Sequence, residues 1–374
     1  MDDFSNLGEM GGNVGSGDED DDIWWRPTWQ TEDETDLPGT PRSRQPARDP
    51  DYAHPLLAPL ARAQEAITRL EARVQAAAPA IAEGLRARMA YREAAGWLAY
   101  AHVWIHPRDL ALRDAGLTGS YGPAARAGHL EAELPATTGH GSEFEIPPSD
   151  LSVDRALRLA RLWRRLAEVR TWSPIADATT TRETLQQLGC GASARDIDDW
   201  HTVLEQLEAE PALIRAGRAA RDWMNRAEVK TPLTQDGIFL AACVWRQGGS
   251  GRAITLPFWT VPELRLQRLA PRVGLEWMAG FLDIVADAAK AGLVELGRLQ
   301  TAAGKGRHLT ATVRSKLPSA CEAVLRAPVI TARGLAHALD VTPQAALGLL
   351  RQLTEAEIIR EATGRASWRA FVLA

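Results

Sequence analysis

Four stretches of the sequence hold residue types that can do chemistry. His102 and His106 stand four apart, the spacing at which one helix face offers two imidazoles to a metal ion. Pro107 follows at once and ends a helix there, and no third ligand accompanies the pair, so structural histidines are the simpler reading. Asp196, Asp198 and Asp199 precede Trp200-His201, a set suited to metal or acid–base work. The plainer reading is an acidic helix N-terminus, where the helix dipole favours negative charge. Gly304-Lys305-Gly306-Arg307-His308 has the outline of a phosphate loop, but Gly follows Lys305 where Ser or Thr is needed, and Gly297 stands too far back. It reads as a flexible basic loop from which Lys305 and Arg307 touch backbone phosphate, or as a solvated linker. Gly248-Gly249-Ser250-Gly251 lacks the lysine and reads as a loop.

The fourth stretch suits nucleic acid. Thr331 caps a helix through Leu335, Ala336 and Leu339, and Asp340-Val341 makes a turn with Val341 as an apolar plug. Thr342 caps a second helix and Pro343 takes its first turn, where a missing N–H costs nothing. That helix gives Ala346, Leu349, Leu350 and Leu353 to a core and turns Gln344, Gly348, Arg351 and Gln352 outward. Ile358-Ile359-Arg360-Glu361 and Trp368 to Leu373 form a hairpin across a turn containing Gly364-Arg365. Helix, turn, helix, hairpin is the order of a winged helix-turn-helix, here at residues 319–374. A helix about 10–12 Å across fits the major groove of double-stranded DNA, and its first turn offers N–H groups and a positive dipole end to phosphate. Gln344, beside Thr342, is placed to read a base edge, while Arg333, Arg351 and Arg365 at the wing tip suit phosphate. Glu355 and Glu357 oppose phosphate if they face it, and a winged helix that packs on protein is the competing reading.

The elements in front of this domain are helical by pattern. Leu56, Leu60, Ala63, Ile67, Leu70 and Val74 form a seam at spacings of four and three, with Arg62, Glu65, Arg69 and Glu71 off it. Pro79 ends that run, and a second helix follows through about Tyr100 with Leu85, Met89, Trp97 and Leu98 for burial. Leu151–Val169 places Leu157, Leu162, Trp163 and Leu166 on one side and arginines on the other. Further helices are expected at Ser193–Leu207, Pro211–Arg226, Gly237–Trp245, Leu275–Ala288 and Pro318–Leu325, with a strand or extended loop at Ala253–Phe258. The fold class is mainly α: an acidic tail without order at 1–50, helical domains at 51–140 and 150–300, then the winged helix.

The net charge of −5 over 374 residues conceals an asymmetry. Residues 1–50 hold thirteen Asp/Glu against four Arg, while residues 298–374 hold eleven Lys/Arg against five Asp/Glu. A basic tail behind an acidic head is expected where only the tail meets nucleic acid. Cys190, Cys243 and Cys321 are too scattered for zinc or a disulfide framework and read as small buried thiols. No apolar run reaches membrane-spanning length and the polar N-terminus does not resemble a signal peptide, so a cytoplasmic location without membrane contact is expected. Trp24, Trp25 and Trp29, after the acidic run Asp18–Asp22, form either a docking motif for a protein partner or a segment packed on the chain itself. The other ten tryptophans are expected in cores.

The phrase from Leu335-Ala336 through Leu339-Asp340-Val341-Thr342-Pro343-Gln344-Ala345-Ala346 to Leu353-Thr354-Glu355-Ala356-Glu357-Ile358-Ile359-Arg360-Glu361 and Thr363-Gly364-Arg365 resembles the C-terminal end of helix-turn-helix proteins common on plasmids of rhizobia and related alphaproteobacteria. Leu56 to Asp114, with Arg69-Leu70-Glu71 and Asp109-Leu110-Ala111-Leu112-Arg113-Asp114, is similar to their N-terminal region of unknown function, and both parts resemble the flanking domains of bacterial Fic proteins. The sequence departs at Glu357, where such winged helices carry Gly, and a less tight turn is expected there. The resemblance implies a DNA-binding regulator. Fic enzymes need His-Pro-Phe followed by a Gly-Asn-Gly-Arg nest; neither His54-Pro55 nor His106-Pro107 precedes one, so no enzyme and no cofactor are expected. The reading is a transcriptional or plasmid-maintenance regulator whose helical region serves as a homodimer interface or partner contact. An adaptor using its winged helix on protein, or an inactive Fic relative, are the alternatives.

Overall fold

The seam of apolar residues from Leu56 to Val74 becomes helix α1 (Leu57–Gln75), which buries Ala63, Ile67, Leu70 and Val74. The computed structural model describes residues 54–117, 150–169, 171–226, 233–249, 252–309, 315–363 and 369–374. The acidic tail with Trp24, Trp25 and Trp29, and also Arg365, lie outside the described residues. After α1 come α2 (Pro79–Tyr100), α3 (Pro107–Asp114), α4 (Asp150–Glu168), α5 (Ala178–Gln187) and α6 (Ala194–Gln206). Then follow α7 (Ala212–Arg226), α8 (Gln235–Gln247), α9 (Glu263–Leu269) and α10 (Gly274–Leu309). The C-terminal part adds α11 (Leu317–Arg326), β1 (Ile330–Thr331), α12 (Ala332–Leu339), α13 (Pro343–Glu355), β2 (Ile359–Glu361) and β3 (Ala370–Leu373).

The protein is mainly α-helical, and among the described residues it has one small antiparallel sheet in the order β1-β3-β2. Ile330 pairs with Phe371, and Ile359 with Leu373. The hairpin expected from sequence is therefore extended by a third strand, which is only two residues long and carries no period to read.

In the helical body α1 lies along α10, α2 packs on α4, and α7 on α8. Trp163, Trp200, Trp223, Trp245, Trp259 and Trp277 are fully buried, as expected for core tryptophans, whereas Trp104 is 63% exposed. The segment Ala253–Phe258 contains no strand. It is held as a loop by the buried Glu93 of α2, whose carboxylate accepts from the backbone N–H of Phe258 (3.1 Å) and of Trp259 (2.8 Å).

Sequence spacing ended the helix after α9 near Ala288, but α10 continues for 36 residues to Leu309. The stretch read as a flexible loop, Gly304 to His308, is helical, and two glycines of α10 are close contacts. A Cβ at Gly292 would lie 2.8 Å from Leu70 of α1, and one at Gly306 would lie 2.3 Å from the Cys321 sulfur of α11. Packing against two neighbours offsets the roughly 1 kcal/mol that each interior glycine costs a helix.

No described helix is long and apolar enough to cross a membrane.

Candidate nucleic-acid interface

The helix-turn-helix is assembled by its caps. The Thr331 hydroxyl accepts from Gly334 N–H (3.0 Å) and starts α12, which ends at Asp340 in the left-handed region (φ 52°, ψ 57°). Val341 N–H donates to Ala336 carbonyl (3.0 Å), and the half-buried Val341 side chain packs on the core between the two helices. The Thr342 hydroxyl accepts from Ala345 N–H (3.2 Å), with Pro343 in the first turn of α13. Each residue does locally what its type favours: a hydroxyl satisfies an orphan N–H, and proline occupies a position that needs none.

Helix α13 buries Ala346, Leu350 and Leu353. At roughly 100° per residue the row Gln344, Gly348, Arg351, Glu355 falls on the opposite side. Gln344, Arg351, Gln352 and Glu355 are exposed, as is Arg333 on α12. Thr342, exposed at the cap, brings Gln344 and the positive end of the α13 dipole to the same surface. An outward Gln at the start of such a helix and an Arg two turns on can donate to base edges and phosphate oxygens. Asp340 and Glu355, also exposed, bound the surface with negative charge.

The opposite side of this domain is locked to the helical body. Arg88 of α2 is 8% exposed. Its guanidinium donates to the carbonyls of Leu325 (2.7 Å), Ala327 (2.9 Å) and Val324 (3.3 Å), which close α11, and to Gly84 (3.0 Å). It therefore caps the C-terminus of the first helix of the domain from another element, where positive charge suits the dipole. Buried Glu295 of α10 lies 3.9 Å from Arg88 and 3.1 Å from Arg92. Burial pulls the Arg88 guanidinium down to about 10, with Glu295 acting against it. The approach is so close that a Cβ at Gly84 would sit 2.0 Å from the Leu325 carbonyl oxygen. This clamp was not foreseen from sequence, although Arg88 stands three residues after the core residue Leu85 and so shares its face.

Lys305 and Arg307 are not in a flexible loop; both belong to the last turns of α10. Lys305 donates to the Glu357 carbonyl (3.1 Å) and pairs with its carboxylate (3.5 Å). Glu357 adopts φ 53°, the left-handed conformation that glycine would take at no cost. The turn is therefore tight rather than loosened: Glu357 N–H donates to Thr354 carbonyl (2.9 Å) and Ile358 N–H to Leu353 carbonyl (3.0 Å). Lys305 both stabilises that turn and compensates the Glu357 charge.

The remaining candidates are structural where they are described. His106 is the N-cap of α3, its Nδ1 accepting from Arg108 N–H (3.1 Å), while His102 lies beyond α2 at φ 59° and faces Glu263 (3.4 Å). The two therefore do not share a helix face. Asp196 forms a capping box with Ser193 at the start of α6, Asp199 pairs with Arg226 (3.5 Å), and His201 bonds Thr181 (2.9 Å). Among the described residues, no group of three or more His, Cys, Asp or Glu is arranged to hold a metal ion. The three cysteines are unpaired, with Cys243 and Cys321 buried and Cys190 half-buried, and burial pushes the Cys190 thiol up to about 12.

Residues 317–373 match the family model described as an HTH DNA binding domain. That segment begins with α11 and ends in β3, so it includes both the outward face of α13 and the helix end that Arg88 caps. The chain is also similar to the uncharacterized protein y4cF of Sinorhizobium fredii (strain NBRC 101917 / NGR234), with 32% identity over 185 residues. The alignment covers 46% of this chain and 45% of that protein, so the chain spans a little under half the length of the relative it matches. The rhizobial side of the resemblance holds at this level.

Proposed function

We propose that this chain is a DNA-binding regulator, transcriptional or serving plasmid maintenance, whose HTH domain seats α13 in the major groove of duplex DNA. The observation that carries the reading is the exposed row of α13, set opposite its buried row and beginning at a capped helix N-terminus. Gln344 reads a base edge, Thr342, Arg333 and Arg351 hold phosphates, and Arg365, between the two wing strands in sequence, adds a positive charge for the backbone. The match of residues 317–373 to an HTH DNA binding domain supports the same assignment. Lys305 has its partner in Glu357, so it orients the wing rather than contacting DNA, and Arg307 follows it on α10. The helical body, from α1 to α10, serves dimerisation or partner contact.

A second reading has one observation in its favour. Asp340 and Glu355 flank the outward face and are exposed, which suits a protein partner carrying positive charge better than phosphate. A gel-shift titration of the full chain against genomic fragments at two salt concentrations separates the two. A DNA binder loses affinity steeply as salt rises. Replacing Gln344 by Ala relaxes sequence choice more than it weakens nonspecific binding. Failure to shift any fragment at low salt excludes the DNA reading and favours a protein partner.

A further inference from the structure

The outward face of α13 contains a glycine that the fold itself does not require. Gly348 lies inside the helix, and a Cβ built on it meets no atom of the described residues within 4 Å. Its φ is not in the left-handed region, so any L residue could take the position without strain. Alanine there would favour the helix over glycine, because glycine loses more backbone freedom on folding. The position is on the side opposite Ala346, Leu350 and Leu353, one turn after Gln344 and one turn before Arg351 and Gln352. Gly348 itself is half-buried, with the exposed Gln344, Arg351 and Gln352 around it, and a missing side chain there lets another surface come close to the backbone.

We propose that Gly348 is a specificity-determining residue of the DNA interface, lacking a side chain so that the α13 backbone can approach the floor of the major groove. The inference rests on α13 being the recognition helix. With a bare backbone at 348, the short reach of Gln344 suffices for a base edge, and Arg351 spans to the flanking phosphates. A side chain at 348 would meet the base pairs first and hold α13 outward, weakening the paired Gln344 contact more than the long-range attraction to phosphate.

The test uses the full chain and a duplex selected from a random-sequence DNA pool by the unmodified protein. Binding to that duplex and to a scrambled duplex is followed by fluorescence anisotropy for Gly348→Ala, Gly348→Leu and Gly297→Ala, with thermal melting of each. Gly297 is the control, because it too meets open space in a helix, α10, but lies outside the HTH domain. All three variants are expected to melt higher than the unmodified chain. Gly348→Ala should lose affinity for the selected duplex, Gly348→Leu should lose about tenfold or more, and Gly297→Ala should lose none. Binding of folded Gly348→Leu to the selected duplex within about twofold of the unmodified chain overturns the inference while leaving the DNA reading intact. A lower melting temperature for Gly348→Ala also overturns it, since the glycine would then serve the fold. If the unmodified chain enriches no duplex at low salt, the DNA reading fails and this inference with it.

Discussion

Arg88 of the helical body and Arg351 of α13 stand on opposite sides of the HTH domain, and the chain uses the same side chain in opposite ways. Arg88 is buried, has its donors on four carbonyls, and faces Glu295. Arg351 is exposed on the outward row of α13. A guanidinium out of water is tolerable only when its donors are satisfied, so Arg88 is committed to one geometry. An exposed guanidinium keeps its hydration and its rotamers, and remains available to a ligand that supplies oxygens. The contrast extends to glycines: Gly84 is demanded by the carbonyl 2.0 Å from its missing Cβ, whereas a Cβ at Gly348 would meet nothing among the described residues. The inner side of the domain is specified by contacts with the rest of the fold; in the reading proposed above, the outer side is specified by DNA.

The comparison breaks most easily at Arg88. Arg88→Ala uncaps α11, leaving the carbonyls of Val324, Leu325 and Ala327 without this donor, and removes one of the cations beside buried Glu295; it should cost about 3 kcal/mol of stability, read by denaturant unfolding of the full chain. Arg88→Lys should recover little, because an ammonium cannot reach several carbonyls in one plane. A loss below about 1 kcal/mol for Arg88→Ala would mean that the helix end is held by other contacts.

Glu93 is the next largest. Glu93→Ala leaves the buried N–H groups of Phe258 and Trp259 without an acceptor and should cost about 3 kcal/mol, whereas Glu93→Gln keeps an acceptor and should cost much less. Burial pushes the Glu93 carboxyl up to about 8, with the two N–H groups pulling it down. A free glutamate titrates near 4.3, so between about pH 4 and 8 the unfolded chain releases a proton that the folded chain retains. Stability should therefore fall as pH rises through that window and level off above it. Unfolding of Glu93→Gln should lack this component, and an unchanged pH profile in that variant would assign the dependence to other groups.

Thr342→Ala tests the start of the outward face. Loss of one N-cap acceptor should cost about 1 kcal/mol, with Thr342→Ser restoring it. A neutral Thr342→Ala would show that Pro343 alone fixes the first turn.

How much of this could be read from the sequence depended on whether the deciding contact was local. The caps at Thr331 and Thr342, the turn at Asp340-Val341 and the apolar rows of α1, α4 and α13 were legible because each depends on residues within one or two turns. The outward placement of Gln344 and Arg351 followed from the same period. The length of α10 was not legible: glycines at 304 and 306 signal a loop locally, and the contacts that account for Gly292 and Gly306 come from Leu70 and Cys321, which lie on other helices. The same holds for Lys305, whose partner Glu357 lies 52 residues on and gives the wing turn its left-handed residue without glycine. The Arg88 clamp spans more than 230 residues, beyond any periodicity. In the candidate interface, the helix that presents the surface was visible in advance, and the framework that fixes its orientation was not.

The smallest effect on stability belongs to Arg351→Ala, and it bears most directly on what the outward face is for. The affinity of the full chain for duplex DNA should be measured as a function of salt, with and without this substitution. The substitution should leave unfolding within about 0.5 kcal/mol of the unmodified chain, while the slope of log affinity against log salt becomes shallower by about one. An identical slope in the two proteins, or no affinity for duplex DNA at low salt, would contradict a phosphate-facing Arg351 and the assignment of α13 to the groove.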